Sequence, residues 1–159
     1  MIKRIGITVV AVVAAMALSM AAQAADSDVG TWELNKAKSK GLNPELVAAT
    51  LVVKARPDGG TTANFIQHLK DGTTVTRDHT CTDDGKECPV KVSNGNYDTV
   101  SVKRVDAEIT ITVWTKKGGK HKVTDTATTS KDGKILSGTF EGTDANGKPV
   151  SGAFFFDRK

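Results

Sequence analysis

The sequence predicts an all-β fold: an antiparallel up-and-down meander barrel of about ten strands, with one short helix near the N-terminus. Three observations lead there. Turn signals punctuate nearly the whole chain: Pro57-Asp58-Gly59-Gly60, Asp71-Gly72, Asp84-Gly85, Asn94-Gly95-Asn96, Asp106-Ala107, Gly118-Gly119, Asp132-Gly133 and Asp144-Ala145-Asn146-Gly147. Asp-Gly and Asn-Gly supply the positive φ that tight hairpins require. Between the turns lie runs of roughly ten residues rich in Thr and Val, which suit a pleated, half-buried surface. Nothing between them has the helical period of a βαβ crossover.

Residues 1–24 have the anatomy of a secretory signal peptide. Lys3 and Arg4 form a basic start, Ile5 to Met20 an apolar run, and Ala22-Gln23-Ala24 a small-x-small cleavage site. The run is short for a membrane span of about 20 residues. The mature chain is then residues 25–159, one domain with one core. Cleavage removes Lys3 and Arg4, leaving 20 Lys and Arg against 18 Asp and Glu, a net charge of +2 rather than +4. The charges are interspersed, with no basic stripe interleaved with aromatics, so nucleic-acid binding is not indicated. The expected address is the periplasm or the extracellular space.

The first strand is read at Val29 to Leu34, anchored by Trp32, followed by a polar loop from Asn35 to Gly41. Asn43-Pro44-Glu45 combines an N-cap residue, proline at the first helical position and an acid behind it. A one- or two-turn helix is therefore expected over 43–49. Strands are expected at 50–56, 61–70, 73–82, 86–93, 98–105, 108–116, 120–130, 134–143 and 148–157. A two-residue turn at Asp84-Gly85 places Cys81 opposite Cys88, and in an oxidising compartment the two should form a disulfide.

Alternation separates the strand faces. Val150, Phe154 and Phe156 share one face of the last strand, and Phe155 on the other face needs a cover, which the 43–49 helix could provide. In the strand at 73–82, Val75 shares a face with Arg77, His79 and Cys81. In the strand at 120–130, Val123 shares a face with His121, Asp125 and Ala127. If these faces point inward, the barrel encloses a wet cavity; in the opposite register, Thr-rich faces point inward.

The stretch Gly30-Thr31-Trp32-Glu33-Leu34-Asn35-Lys36-Ala37-Lys38-Ser39 resembles the opening of a family of small secreted bacterial proteins of unknown function. Their pattern is Gly-Thr-Trp-x-Leu-Asn-x-x-Lys-Ser, directly after a signal peptide. The resemblance continues through Asp98 to Asp106 and Gly142 to Val150, and ends at Asp157-Arg158-Lys159. It implies a lipocalin-like, calycin-type barrel, similar to lipocalins and fatty-acid-binding proteins, in which the tryptophan closes one end. The Arg-x-Tyr with which the intracellular members hold a carboxylate has no counterpart at Phe156-Asp157-Arg158. That mode of capture is not implied.

The chain carries no Gly-x-Ser-x-Gly, phosphate loop or His-Glu-x-x-His, and no cofactor motif, so an enzyme is not the favoured reading. His68, His79 and His121 lie on three strands without metal-ligand spacing and read as separate residues rather than a zinc site. Glu141 and Asp125 read as solvated carboxylates rather than an acid–base pair. The candidate ligand contacts are Trp32, Arg77, His79, Arg104, Phe154 and Phe156. The expected function is binding of a small apolar or amphipathic molecule inside the barrel. The alternative is a solid barrel serving as an envelope interaction or stress module, with an exposed apolar patch near Phe155. Thiol titration of the unreduced, exported protein should find no free cysteine. Two reactive thiols would contradict both the hairpin register and the oxidising address.

Overall fold

The computed structural model describes residues 27–159, so the signal peptide expected over 1–24 lies outside the described residues. Ten strands close into one antiparallel barrel: β1 (Gly30–Leu34), β2 (Leu46–Ala55), β3 (Thr61–Leu69), β4 (Thr74–Cys81), β5 (Asp84–Val92), β6 (Thr99–Arg104), β7 (Ile109–Thr115), β8 (Lys122–Thr129), β9 (Ile135–Thr143) and β10 (Pro149–Arg158). Each strand pairs with its sequence neighbours, and β1 closes the ring on β10.

The hairpins form where the sequence places them, with one exception. Asp84 and Gly85, expected as the β4–β5 turn, belong to β5, where Asp84 pairs with Lys103, and the chain turns at Thr82-Asp83. One side-chain device recurs. Asp71, Asp84, Asp106, Asp132 and Asp144 each accept a hydrogen bond from the backbone N–H two residues on, at 2.8–3.1 Å. The following glycine, where there is one, takes the left-handed conformation, as at Gly72 (φ 84°) and Gly133 (φ 68°). Side-chain capture of the turn backbone holds the bend while the strands pair.

The expected helix over 43–49 is absent; β2 begins at Leu46 instead. The capping signal is genuine but is spent on one turn. Asn43 accepts from the Glu45 N–H through its side chain and from the Leu46 N–H through its carbonyl, both at 3.0 Å. From there Leu46 pairs with Leu69 across a bulge, and Ala48 to Ala55 pair with His68 to Thr61. Ladder pairing and the burial of Leu46 and Ala49 against Trp32 outweigh a helix too short to stand alone.

Closure depends on a short seam. β1 meets β10 at three positions, Trp32–Arg158, Glu33–Asp157 and Leu34–Phe156. Above it, the loop after β1 covers the remaining edge of β10. The Asn35 N–H donates to the Phe155 carbonyl, Lys40 and Ala153 exchange backbone hydrogen bonds at 2.8 and 2.9 Å, and Ser39 Oγ accepts from the Phe155 N–H at 3.0 Å. This loop, rather than a helix, flanks Phe155, which is half-buried.

The Cys81–Cys88 disulfide is present, with Cα atoms 5.7 Å apart. The ladder it continues is brief: Arg77–Val92, Asp78–Lys91 and His79–Val90 are the only β4–β5 rungs. The bridge thus fastens a seam with few backbone hydrogen bonds. It closes a short loop, for which chain entropy gives about 2–3 kcal/mol.

Trp32 has no exposed surface. It packs with Leu46, Ala49, Leu136 and Phe156, donates from its indole nitrogen to the Asp28 carbonyl at 2.8 Å, and lies under the Arg158 guanidinium, 4.2 Å from the ring centroid. Trp32→Ala should cost about 3–5 kcal/mol through the cavity left behind, a large share of a total near 5–15 kcal/mol. Thermal denaturation followed by circular dichroism checks it; an unchanged melting temperature would remove Trp32 from its role as the end plug.

Candidate functional site: a two-ended interior cavity

The barrel interior is hollow. Between the core cluster around Trp32 and a second one around Tyr97, Val100 and Trp114 lies a cavity of about 520 Å³. Its size follows from the inward residues of the last two strands, where glycine and aromatic alternate across the ladder. Gly138 faces Phe154 and Gly152 faces Phe140. A Cβ on Gly138 would lie 2.7 Å from the Phe154 ring and 2.0 Å from the Thr126 carbonyl oxygen. The rings occupy space that only glycine leaves open, which shapes this wall.

One end of the cavity is apolar. Leu34, Leu51, Phe65, Leu136, Phe154 and Phe156 line it, and Leu42 and Pro44 of the β1–β2 loop complete the wall. Phe156 meets Phe65 and Phe154 edge to face, at centroid distances of 6.2 and 5.9 Å.

The other end is polar, because β4 and β8 turn their mixed faces inward. Arg77, His79, His121 and Asp125 all line the cavity, so the wet-interior register is the one adopted. Arg77 sits among three rings, with its guanidinium carbon 5.4, 5.2 and 5.5 Å from the centroids of Phe65, Tyr97 and Trp114. Such contacts stabilise a cation removed from water. Its Nη2 donates to Gln67 Oε1 at 3.1 Å, whereas its buried Nε makes no hydrogen bond. Asp125 accepts from the Trp114 indole N–H at 2.7 Å. Tyr97 Oη and His121 Nε2 are 2.9 Å apart, and the Nδ1 atoms of His79 and His121 are buried without a hydrogen bond.

Burial governs the ionisation of these groups. Loss of solvation holds His79 down at about 4, partly countered by Asp78. It raises Asp125 to about 6, against the opposing effects of the Trp114 hydrogen bond and the Arg77 charge. His121 is lowered by desolvation and by Arg77. At neutral pH His79 and His121 are uncharged, and Arg77 and Asp125 carry opposite charges.

The structure brings four of the six sequence candidates, Arg77, His79, Phe154 and Phe156, to the cavity wall. Trp32 and Arg104 stand outside it. Trp32 belongs to the closed end. Arg104 is held at the barrel's edge between Asp28 (2.9 Å) and Asp83 (3.4 Å), where it ties the N-terminal segment to the β4–β5 turn. Sequence reasoning missed Tyr97, which lies in a connection beside the Asn94-Gly95 turn, and Trp114, which follows two inward threonines. It set Asp125 aside as solvated; Asp125 faces the cavity, while Glu141 is exposed. His68 is exposed and approaches Thr74 at 3.1 Å, far from a joint role with the other two histidines. No cluster of metal-ligating side chains occurs among the described residues.

No protein-family model matches the chain, and no curated protein matches it. Among solved structures it is similar to the fluorescent protein UnaG, with 14% identity, a TM-score of 0.52, and coverage of 83% of this chain and 97% of that one. Two single-residue variants of UnaG match comparably, with TM-scores of 0.53 and 0.52 at 13% and 16% identity. At this identity the likeness establishes the shared barrel fold.

The two shifted groups oppose each other in stability. His79 is harder to protonate in the fold than in the unfolded chain, so its contribution is lost as pH falls from 6.5 toward 4. Asp125 is harder to ionise in the fold, so it costs stability as pH rises from 3.8 toward 6. Over this window the wild-type slopes from this pair should nearly cancel. Asp125→Asn should leave stability rising with pH, and His79→Gln should leave it falling, each by up to about 3 kcal/mol across the window. Urea denaturation between pH 4 and 7 checks both; parallel profiles for the two variants would contradict it.

Proposed function

We propose that this chain is an exported binding barrel for a small amphipathic molecule, held with its apolar body against Phe65, Phe154 and Phe156 and its polar end near Arg77. The observation that carries this reading is the division of one interior cavity into an aromatic-aliphatic end and a polar end. Pockets of a few hundred Å³ with a small number of directed polar groups are the usual form of small-molecule sites. A barrel built only for rigidity would gain from filling the space, since empty volume forfeits contact energy and buried polar groups without partners cost more.

Export is supported by the basic, apolar and small-residue sequence of residues 1–24 and by the Cys81–Cys88 pairing. The opening shared with small secreted bacterial proteins agrees with that address. We read the barrel as a binder rather than an enzyme, in keeping with a sequence that offers no nucleophile motif. The alternative of a solid interaction module is less favoured. The interior is hollow, Phe155 is half-buried, and the exposed large apolar side chains among the described residues, Val47 and Val105, are isolated.

N-phenyl-1-naphthylamine, an uncharged probe that brightens in apolar surroundings, should bind the mature protein saturably with a stoichiometry of one. Ala127→Phe, which places a ring inside the cavity, should weaken that binding by about tenfold or more while leaving the melting temperature within a few degrees of wild type. Absence of saturable binding, or unchanged affinity in the folded variant, would count against the interior as the site.

A further inference from the structure

Resting on the ligand-binding role above, we propose that Arg77 and Asp125 make the polar end of the cavity select an uncharged head group that both accepts and donates hydrogen bonds, such as a primary amide, over a carboxylate. The two residues approach the cavity from different strands, Arg77 from β4 and Asp125 from β8, and meet the same indole rather than each other. Arg77 lies 5.5 Å from the Trp114 ring centroid, and Asp125 takes the Trp114 N–H at 2.7 Å. No ion pair joins them among the described residues.

This separation decides what fits. A head group between them meets a donor on one side and, above the titration of Asp125, an acceptor on the other. An amide satisfies both, with its carbonyl toward the guanidinium and its N–H toward the carboxylate. A carboxylate satisfies Arg77 alone and adds a second negative charge beside Asp125 where water screens little. The remaining groups of the polar end do not reverse this balance. His79 beside Arg77 and His121 ahead of β8 are held uncharged near neutral pH, and Tyr97 from the β5–β6 connection is kept protonated by burial. Asp28, the other carboxylate of the lining, is paired with Arg104 at 2.9 Å, so Arg77 and Asp125 are one positive and one negative charge with no surplus cation for an anionic ligand.

Acid changes the preference. Once Asp125 takes up a proton it becomes a donor, the surplus charge is that of Arg77, and an anion is accepted. By linkage, an anion that raises the Asp125 titration by about one unit binds about tenfold more weakly when Asp125 is ionised.

Displacement of N-phenyl-1-naphthylamine by decanamide and decanoate tests the proposal. Because an amide enters any apolar pocket more readily, the decisive quantity is the displacing concentration of decanoate divided by that of decanamide, in wild type and in Asp125→Asn. At pH 8 the ratio should fall by about tenfold or more in the variant, through stronger displacement by decanoate. If that variant fails to fold, the wild-type protein still gives the answer. Decanesulfonate, ionised at every pH used, should gain on decanamide by a comparable factor between pH 8 and pH 5. Ratios unchanged by the substitution, or by pH in wild type, would overturn the head-group selection while displacement itself upholds the cavity as a binding site. Failure of the probe and both competitors to bind would overturn the ligand-binding reading and this inference together.

Discussion

Closure of the sheet is the constraint from which the other features follow. A ten-stranded antiparallel sheet left open would expose two edges of unpaired N–H and C=O groups. Here β1 and β10 remove them with only three paired positions. The seam is reinforced from both sides. Trp32 fills the end behind it, Arg158 spans it from above the indole to the carbonyls of Ser27 and Val29 at 2.7 Å, and the loop after β1 occupies the rest of the β10 edge. The extended hydrogen bonding of Asn35 to Lys40 does the work of a further strand without requiring a longer β1.

A ring of ten strands also encloses more space than its inward side chains fill, because barrel diameter grows with strand number. The two core clusters close the regions around Trp32 and around Val100, and the middle stays open. Glycines on β9 and β10 shape its wall, since at Gly138 and Gly152 a Cβ would strike the Phe154 and Phe140 rings that lie back over them. The interior volume is thus a consequence of strand count and of small residues placed opposite large ones, before any polar group is considered.

The hairpin positions were legible in the sequence because the chemistry that makes them is local: an Asp or Asn carboxyl or amide oxygen, a backbone N–H two residues away and, at most turns, a glycine free to take positive φ. The disulfide was legible for the same reason. The start of β2 was not, since Asn43-Pro44-Glu45 carries a true capping signal that only the distant partner Leu69 overrides. Nor was the direction of the β4 and β8 faces. In a solid core, polar residues mark the outside, but in a hollow barrel Arg77 and Asp125 face inward while Ile109 and Ile111 on β7 face outward and remain half-buried. Alternation reports the period of a strand and leaves its sign to the tertiary structure. Arg104 and Arg77 show the same limit: identical residue types, one tied between two aspartates at the rim and the other surrounded by rings inside.

The polar end also carries an energetic imbalance that points to its use. Burying a cation and an anion is offset best when they pair directly, and breaking such a pair is costly. Arg77 and Asp125 forgo that pairing. The rings of Phe65, Tyr97 and Trp114 and the Gln67 carbonyl compensate the cation, while the Trp114 N–H compensates the anion. The compensation is incomplete, as the buried Arg77 Nε and the two histidine Nδ1 atoms make no hydrogen bond. Local departures from full polar satisfaction in an otherwise consistent fold are characteristic of functional sites. Three of them, on Arg77, His79 and His121, lie at one end of one cavity, while Thr99 Oγ1 and Thr129 Oγ1, also buried without a hydrogen bond, lie away from it. Those on Arg77, His79 and His121 face the cavity, where a polar guest would meet them.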